Sequence, residues 1–179
     1  MLFTKLLALL MGAAALLATS LADAQPQKDM GAQAAVAAQS PQFFVSQTAM
    51  ANLLLIQSAQ LALDRAEKDT VKKLAAALVE DHRKLQFRLR EIADKAKLKM
   101  PHELDQPRRA ALERLAAAGK GGAFERAWLE TQSQVQQEAL QLHAEYAKKG
   151  DFEELKLMAG VAKPVLENHL RRLNELAKH

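Results

Sequence analysis

From Pro41 onward apolar residues recur every three or four positions and nowhere alternate, so the pattern predicts amphipathic helices and no strands. Ser40-Pro41 reads as an N-cap followed by a proline at the first helical position, opening a helix that runs to about Ala66. Its apolar surface is wide: Phe43, Phe44, Met50, Leu54, Leu55, Ile56, Leu61 and Leu63, with no charged residue between Pro41 and Leu63. Such a helix needs neighbours on most sides. The second helix is expected to start with Asp69 as N-cap and to end before Pro101. Its seam is Val71, Leu74, Leu78, His82, Leu85, Leu89, Ile92 and Ala96. Lys95, Lys97 and Lys99 complement the dipole at its end. The junction between these two helices holds no Gly or Pro, so one continuous helix is the alternative.

Asp105 is placed to cap a short helix to about Ala118, which Gly119-Lys120-Gly121-Gly122 breaks. A third long helix follows from about Ala123 to Lys149, with the stripe Phe124, Trp128, Val135, Ala139, Leu142 and Tyr146. Gln132, Gln134, Gln137 and Gln141 read as its outer, polar side, and Gly150 as the C′ residue that stops it. Asp151 and Glu154 resemble a capping box for the last helix. Its stripe is Leu155, Met158, Ala162, Leu166, His169, Leu173 and Leu176, and Pro164 inside it predicts a kink. The expected fold is all-α: an up-down four-helix bundle over residues 40–179, with a short extra helix between the second and third and with the second and last helices running the same way.

The N-terminus has a different pattern. Lys5 precedes an apolar or small run from Leu6 to Leu21, and Ala22-Asp23-Ala24 forms an A-x-A cleavage site. This is the layout of a secretory signal peptide over residues 1–24, too short in its apolar part for a membrane span, although a retained anchor is the competing reading. Residues 25–39, rich in Ala and Gln, read as a loose tether. About 155 residues remain after cleavage, enough for one domain. The chain has no cysteine, so an exported form relies on core packing rather than disulfides, and thiolate chemistry and covalent haem attachment are excluded.

Several segments together resemble a known family. They are Phe44-Val45, Val79-Glu80-Asp81-His82, Leu104-Asp105, Phe124-Glu125-Arg126-Ala127-Trp128-Leu129, and the run from Pro164 to Leu170 that contains His169. They resemble the exported, ferritin-like bacterial domain of unknown function often labelled an outer membrane protein. The resemblance covers about residues 40–177 and implies a ferritin-like bundle in the cell envelope, with no established reaction. Many members carry a histidine within the third helix, twelve residues after the motif's Phe. Here Gln136 stands in that place, and the nearest histidine on this helix is His143. If relatives hold a three-histidine site, the resemblance implies that one of its members is lost or moved here.

The candidate chemistry centres on His82 and His169, each of which interrupts an apolar stripe. Neither has a carboxylate three or four residues away on its own helix. A core imidazole needs a partner. One reading is a hydrogen-bonded core pair, with Asp81, Gln136 and His143 as nearby candidates; the other is a pair of ligands for a transition metal. A ferritin-type di-iron site is a poor match, because the chain contains no E-x-x-H and its first helix offers no carboxylate on its inner turns. A non-covalent haem between Met50 and His169 is a weaker candidate. No cofactor is required by any motif. G-x-S-x-G and the P-loop are absent, so an enzyme is not expected.

The net charge of +4 is spread over Arg83, Lys84, Arg88, Arg90, Arg108, Arg109, Lys148, Lys149, Arg171 and Arg172, which read as solvated faces with at most weak attraction to an anionic membrane surface. Nucleic acid is not an expected partner of an exported chain; a component of the envelope is. The expected role is therefore a non-catalytic envelope protein, an interaction or stress-related module, with a metal- or haem-binding bundle as the alternative. Mass spectrometry of the exported protein should find Gln25 at the N-terminus. Recovery of a form beginning at Met1 from the membrane fraction would overturn the cleavage assignment.

Overall fold

The computed structural model describes residues 40–178. The expected cleavage site and tether lie outside the described residues. Five helices follow in order: α1 (Pro41–Arg65), α2 (Asp69–Lys95), α3 (Gln106–Ala117), α4 (Gly121–Lys149) and α5 (Glu153–Leu176). Among the described residues there is no strand, and no helix is long and apolar enough to cross a membrane.

Four long helices form the bundle and α3 bridges α2 to α4. The side-chain pairings give the directions. Phe44 of α1 packs on Tyr146 of α4, while Ser58, further along α1, meets Gln132, earlier on α4. Leu74 and Leu78 of α2 share a cluster with Leu173 of α5, and Leu89 and Ile92 share one with Leu155. Each adjacent pair is therefore antiparallel. The second and last long helices run in opposite directions, which corrects the parallel arrangement expected from a simple up-down order. The cause is the connection between α2 and α4. Alpha-helix α3 alone spans about 18 Å, and with its flanking loops it carries the chain back along the bundle, so α4 starts at the same end as α2.

The core is two apolar clusters. One holds Leu74, Leu78, Phe124, Trp128 and Leu173; the other holds Phe44, Leu89, Ile92, Tyr146 and Leu155. The α5 stripe is buried as expected from Leu155 to Leu173, with Leu176 half-buried. The helix runs through Pro164, which lies on its exposed side, and stays helical on both sides of it. The α4 stripe needs correction. Val135 and Leu142 are only half-buried, because they line a groove of about 750 Å³ between α1, α3 and α4. In their stead Gln132, Gln136 and His143 are buried. Gln132, assigned to the outer face, is fully buried and donates to Leu55 O and Ser58 Oγ of α1.

Several caps also differ from expectation. Asp105 caps α3 as expected, accepting from Arg108 N at 3.1 Å. Asp69 is the first residue of α2 rather than its cap, and α5 opens after Phe152 without a side-chain cap. Gly150 is extended rather than left-handed, and its role is steric: a Cβ there would sit 2.5 Å from the Tyr146 ring, which is stacked on Phe44. Lys97 takes the left-handed position that ends α2, with Leu98 N donating back to Ala93 O.

The α1–α2 corner is made from outside. Glu125 of α4 is buried, and its Oε1 accepts from the amides of Glu67 at 2.8 Å and Lys68 at 2.7 Å. In a continuous helix those amides would serve carbonyls of the preceding turn; here a carboxylate takes them and the chain reverses. Glu125→Ala should therefore destabilise the fold by about 1–2 kcal/mol, the scale of a lost helix cap. Glu125→Gln, which keeps an acceptor, should cost less. Urea denaturation checks this; equal losses for both variants would refute the capping role.

Candidate functional site

Between the two apolar clusters lies a polar layer. His82 and His169 are both fully buried, as is Gln136, and the imidazole centroids are 5.2 Å apart. Helical spacing places them: His82 continues the Leu74–Leu78 row of α2, and His169 follows Leu166 on α5. Gln136 Nε2 stands between the rings, 2.9 Å from His82 Nε2 and 3.3 Å from His169 Nδ1. The two histidines thus meet through one bridging atom.

The outer partners determine where the protons sit. Asn52 of α1 donates through Nδ2 to Gln86 Oε1 at 3.1 Å, which leaves its Oδ1 to accept from His82 Nδ1 at 3.0 Å. His82 Nε2 is then a bare lone pair. At the other end, Asp81 Oδ2 is an acceptor 3.0 Å from His169 Nε2, so that nitrogen carries the proton and Nδ1 is bare. Both bare nitrogens face Gln136, whose amide group has two hydrogens to give. The result is a directed chain across all four long helices: Gln86–Asn52–His82–Gln136–His169–Asp81. Asp81 is its solvent end, with a side chain 37% exposed.

One atom of this chain is left over. Gln136 Oε1 is buried without a hydrogen-bond partner, as are Thr48 Oγ1 and His143 Nε2 elsewhere in the core. His143 does not join the chain. Its Nδ1 donates to Ala139 O at 2.8 Å, and its ring stands edge-on to Phe44. Met50, the haem candidate, also lies elsewhere: it is half-buried and its sulfur faces the Arg108 guanidinium at 3.8 Å. The groove beneath α3 does not include His82 or His169 in its lining. Among the described residues no group of three or more His, Cys, Asp or Glu side chains is arranged to hold a metal ion. Any site here must draw on other donors.

Asn52 and Gln86 were not singled out in the sequence. A signal for Asn52 was present: a helix with no charged residue from Pro41 to Leu63 leaves few positions on its exposed side, and Thr48, Asn52 and Ser58 are buried with the apolar residues.

Burial controls the titration of these rings. It pushes His82 down to about 3, helped by the neighbouring His169 and His143 and opposed by the Gln136 hydrogen bond. It pushes His143 down to about 4, opposed by the bond to Ala139 O. His169 is also lowered by burial, against the pull of Asp81, which holds its proton.

The family pattern described as "Domain of unknown function (DUF4142)" matches residues 25–176. The chain belongs to that family. The match agrees with the family resemblance read from the Asp81-His82, Phe124–Leu129 and Pro164–Leu170 segments, in so far as both point to a domain of unknown function. Among solved structures, this chain is similar in fold to "CopM in the Cu(II)-bound form", at TM-score 0.66 and 17% identity, over 78% of this chain and 96% of that one. No curated protein matches the chain.

The lowered histidines give a pH prediction with a definite sign. In the unfolded chain each imidazole takes up a proton near its ordinary value of 6.5, whereas the folded protein resists it. Their contribution to stability is complete above pH 6.5 and declines as the pH falls toward 4, by about 1.4 kcal/mol per pH unit for each such ring. Urea midpoints measured from pH 7.5 to 4.5 should fall most steeply below pH 6. A flat profile would refute the neutral-core assignment.

Proposed function

We propose that the protein is a non-catalytic bundle of the cell envelope that holds a transition-metal ion between His82 and His169. The observation that carries this reading is the convergence of two bare imidazole nitrogens on one point, each with its opposite nitrogen already committed. Metal-binding histidines are oriented in this way, with the distal N–H held by a carboxylate or carbonyl oxygen. Asp81 supplies the carboxylate to His169, and Asn52 supplies a carbonyl oxygen to His82. The likeness to CopM, whose solved form holds Cu(II), supports the same reading. The N-terminal pattern of charge, apolar run and A-x-A site supports export. The absence from the sequence of any assembled nucleophile and base supports a binding rather than an enzymatic role. Nothing supports the haem alternative, because the sulfur of Met50 is turned to Arg108.

A second reading is favoured by a separate observation. Every ring nitrogen of His82 and His169 already has a hydrogen-bond partner without a metal. On that reading the polar layer serves only to fix the register of the four helices. A double-mutant cycle in His82→Leu and His169→Leu, run with and without added Cu(I), separates the two. In the absence of metal the two changes should be coupled, since each single change leaves a buried partner unsatisfied at about 1–3 kcal/mol. With ion at a hundredfold excess over its dissociation constant, the wild type should gain about 2.7 kcal/mol and each single variant should gain nothing. No metal-dependent gain in the wild type would leave the structural reading standing alone.

A further inference from the structure

We propose that the groove between α1, α3 and α4 is the seat of the chain's own N-terminal segment, residues 25–39, which runs back from Ser40 alongside α4. The proposal is independent of the metal reading above.

The groove supplies the first argument. It encloses about 750 Å³, and large apolar side chains stand open in it. Phe43 of α1 is 38% exposed, and Val135 and Leu142 of α4 are only half-buried. A contiguous apolar face of this kind marks a contact surface. Alanines line the groove on all three helices, Ala51 on α1, Ala111 on α3 and Ala127 and Ala139 on α4, so another chain can lie close to the helix backbones. The rim carries charges of both signs, Asp105, Glu130 and Glu138 against Arg108 and Arg114. It therefore selects neither an anionic nor a cationic partner, and an uncharged occupant suits it best.

The sequence before α1 has that chemistry. From Met30 to Gln39 there is no charged residue, and seven of the ten are Ala, Val or Met. Segments that stay in solvent are rich in charge, and this one is not. The family pattern also begins at residue 25, so these residues belong to the same domain pattern as the bundle.

Position and length complete the case. Ser40 is extended, with φ −65° and ψ 131°, so the chain leaves the α1 axis there. Phe43 and Gln47, in the first two turns of α1, line the groove, and Leu142 lies at the same end because Phe44 packs on Tyr146. The segment is therefore attached at the mouth of the groove. Along α4 the lining runs from Ala127 to Leu142, about 22 Å. The 15 residues from 25 to 39 cover that length even at the helical rise of about 1.5 Å per residue, and exceed it when extended.

The test uses the full mature chain, which contains no cysteine, so an introduced pair has no competitor. Ala35→Cys is combined with Leu142→Cys in the groove or, as a control, with Lys99→Cys. Lys99 also adjoins the start of α1, since its amide and carbonyl are bonded to the Gln42 side chain, but it lies on the α2 side. Under mild oxidation the Leu142→Cys pair should close within one chain about tenfold faster than the Lys99→Cys pair. Adding Val36→Asp, which places a charge in the segment, should remove that preference. A second measurement needs no cysteine. Val36→Asp alone should shift the methyl NMR signals of Val135 and Leu142 and leave those of Leu74 and Leu78 in place. Circular dichroism melting identifies a cysteine variant that fails to fold, and the methyl signals then decide. Equal closure rates for the two pairs overturn the proposal, as do methyl signals of Val135 and Leu142 that ignore Val36→Asp. Disulfides that join two chains instead of closing within one overturn it in favour of a second copy in the groove.

Discussion

One side-chain amide, giving both its hydrogens to two imidazoles, holds the middle of this bundle together. The constraint behind it is the cost of burying polar atoms. His82, Gln136 and His169 are all removed from water, and a polar group so placed must find its partner inside the protein. The two acceptors that flank the rings, a carboxylate oxygen of Asp81 and the amide oxygen of Asn52, can only accept from the rings they face. Every proton position between them follows. The layer is therefore an oriented system in which each member depends on the next, and helix register depends on all of them. A slide of α4 by one residue would swing Gln136 about 100° around the helix and strand both rings.

The same layer explains the division of the core. The apolar clusters on either side are built from Leu, Phe and Trp rows that are interchangeable within limits of volume. Such rows specify that helices pack, but only loosely which residues face which. A polar layer is intolerant of misalignment and supplies that choice. The two readings of the layer, a self-contained hydrogen-bond chain or the metal site proposed above, both use the inward nitrogens of His82 and His169 in the orientation that Asn52 and Asp81 impose.

Much of this was legible in the sequence, for identifiable reasons. The positions of His82 and His169 were readable because each interrupts a regular row of Leu and Ala, and a row shows its exceptions. Helix ends were readable where chemistry marks them, as at Ser40-Pro41, Asp105 and the Gly119–Gly122 break. Other features left little trace. Gln132 looked like a member of a polar face because Gln is usually solvated, and only a partner on another helix reverses that. Gly150 looked like a left-handed stop, whereas its smallness serves the ring of Tyr146. Helix direction was missed because a connection containing a short helix can serve as a turn or as a crossover, and residue types alone do not distinguish the two.

The α1–α2 corner has a consequence for where the information that shapes it is stored. Nothing in residues 62–72 resists the helical state: there is no Gly, no Pro and no left-handed residue. The bend is imposed by Glu125, 57–58 residues further along the chain. A change at position 125 would therefore be felt first at residues 67 and 68, where two backbone amides would lose their acceptor although no atom of the corner itself had been altered.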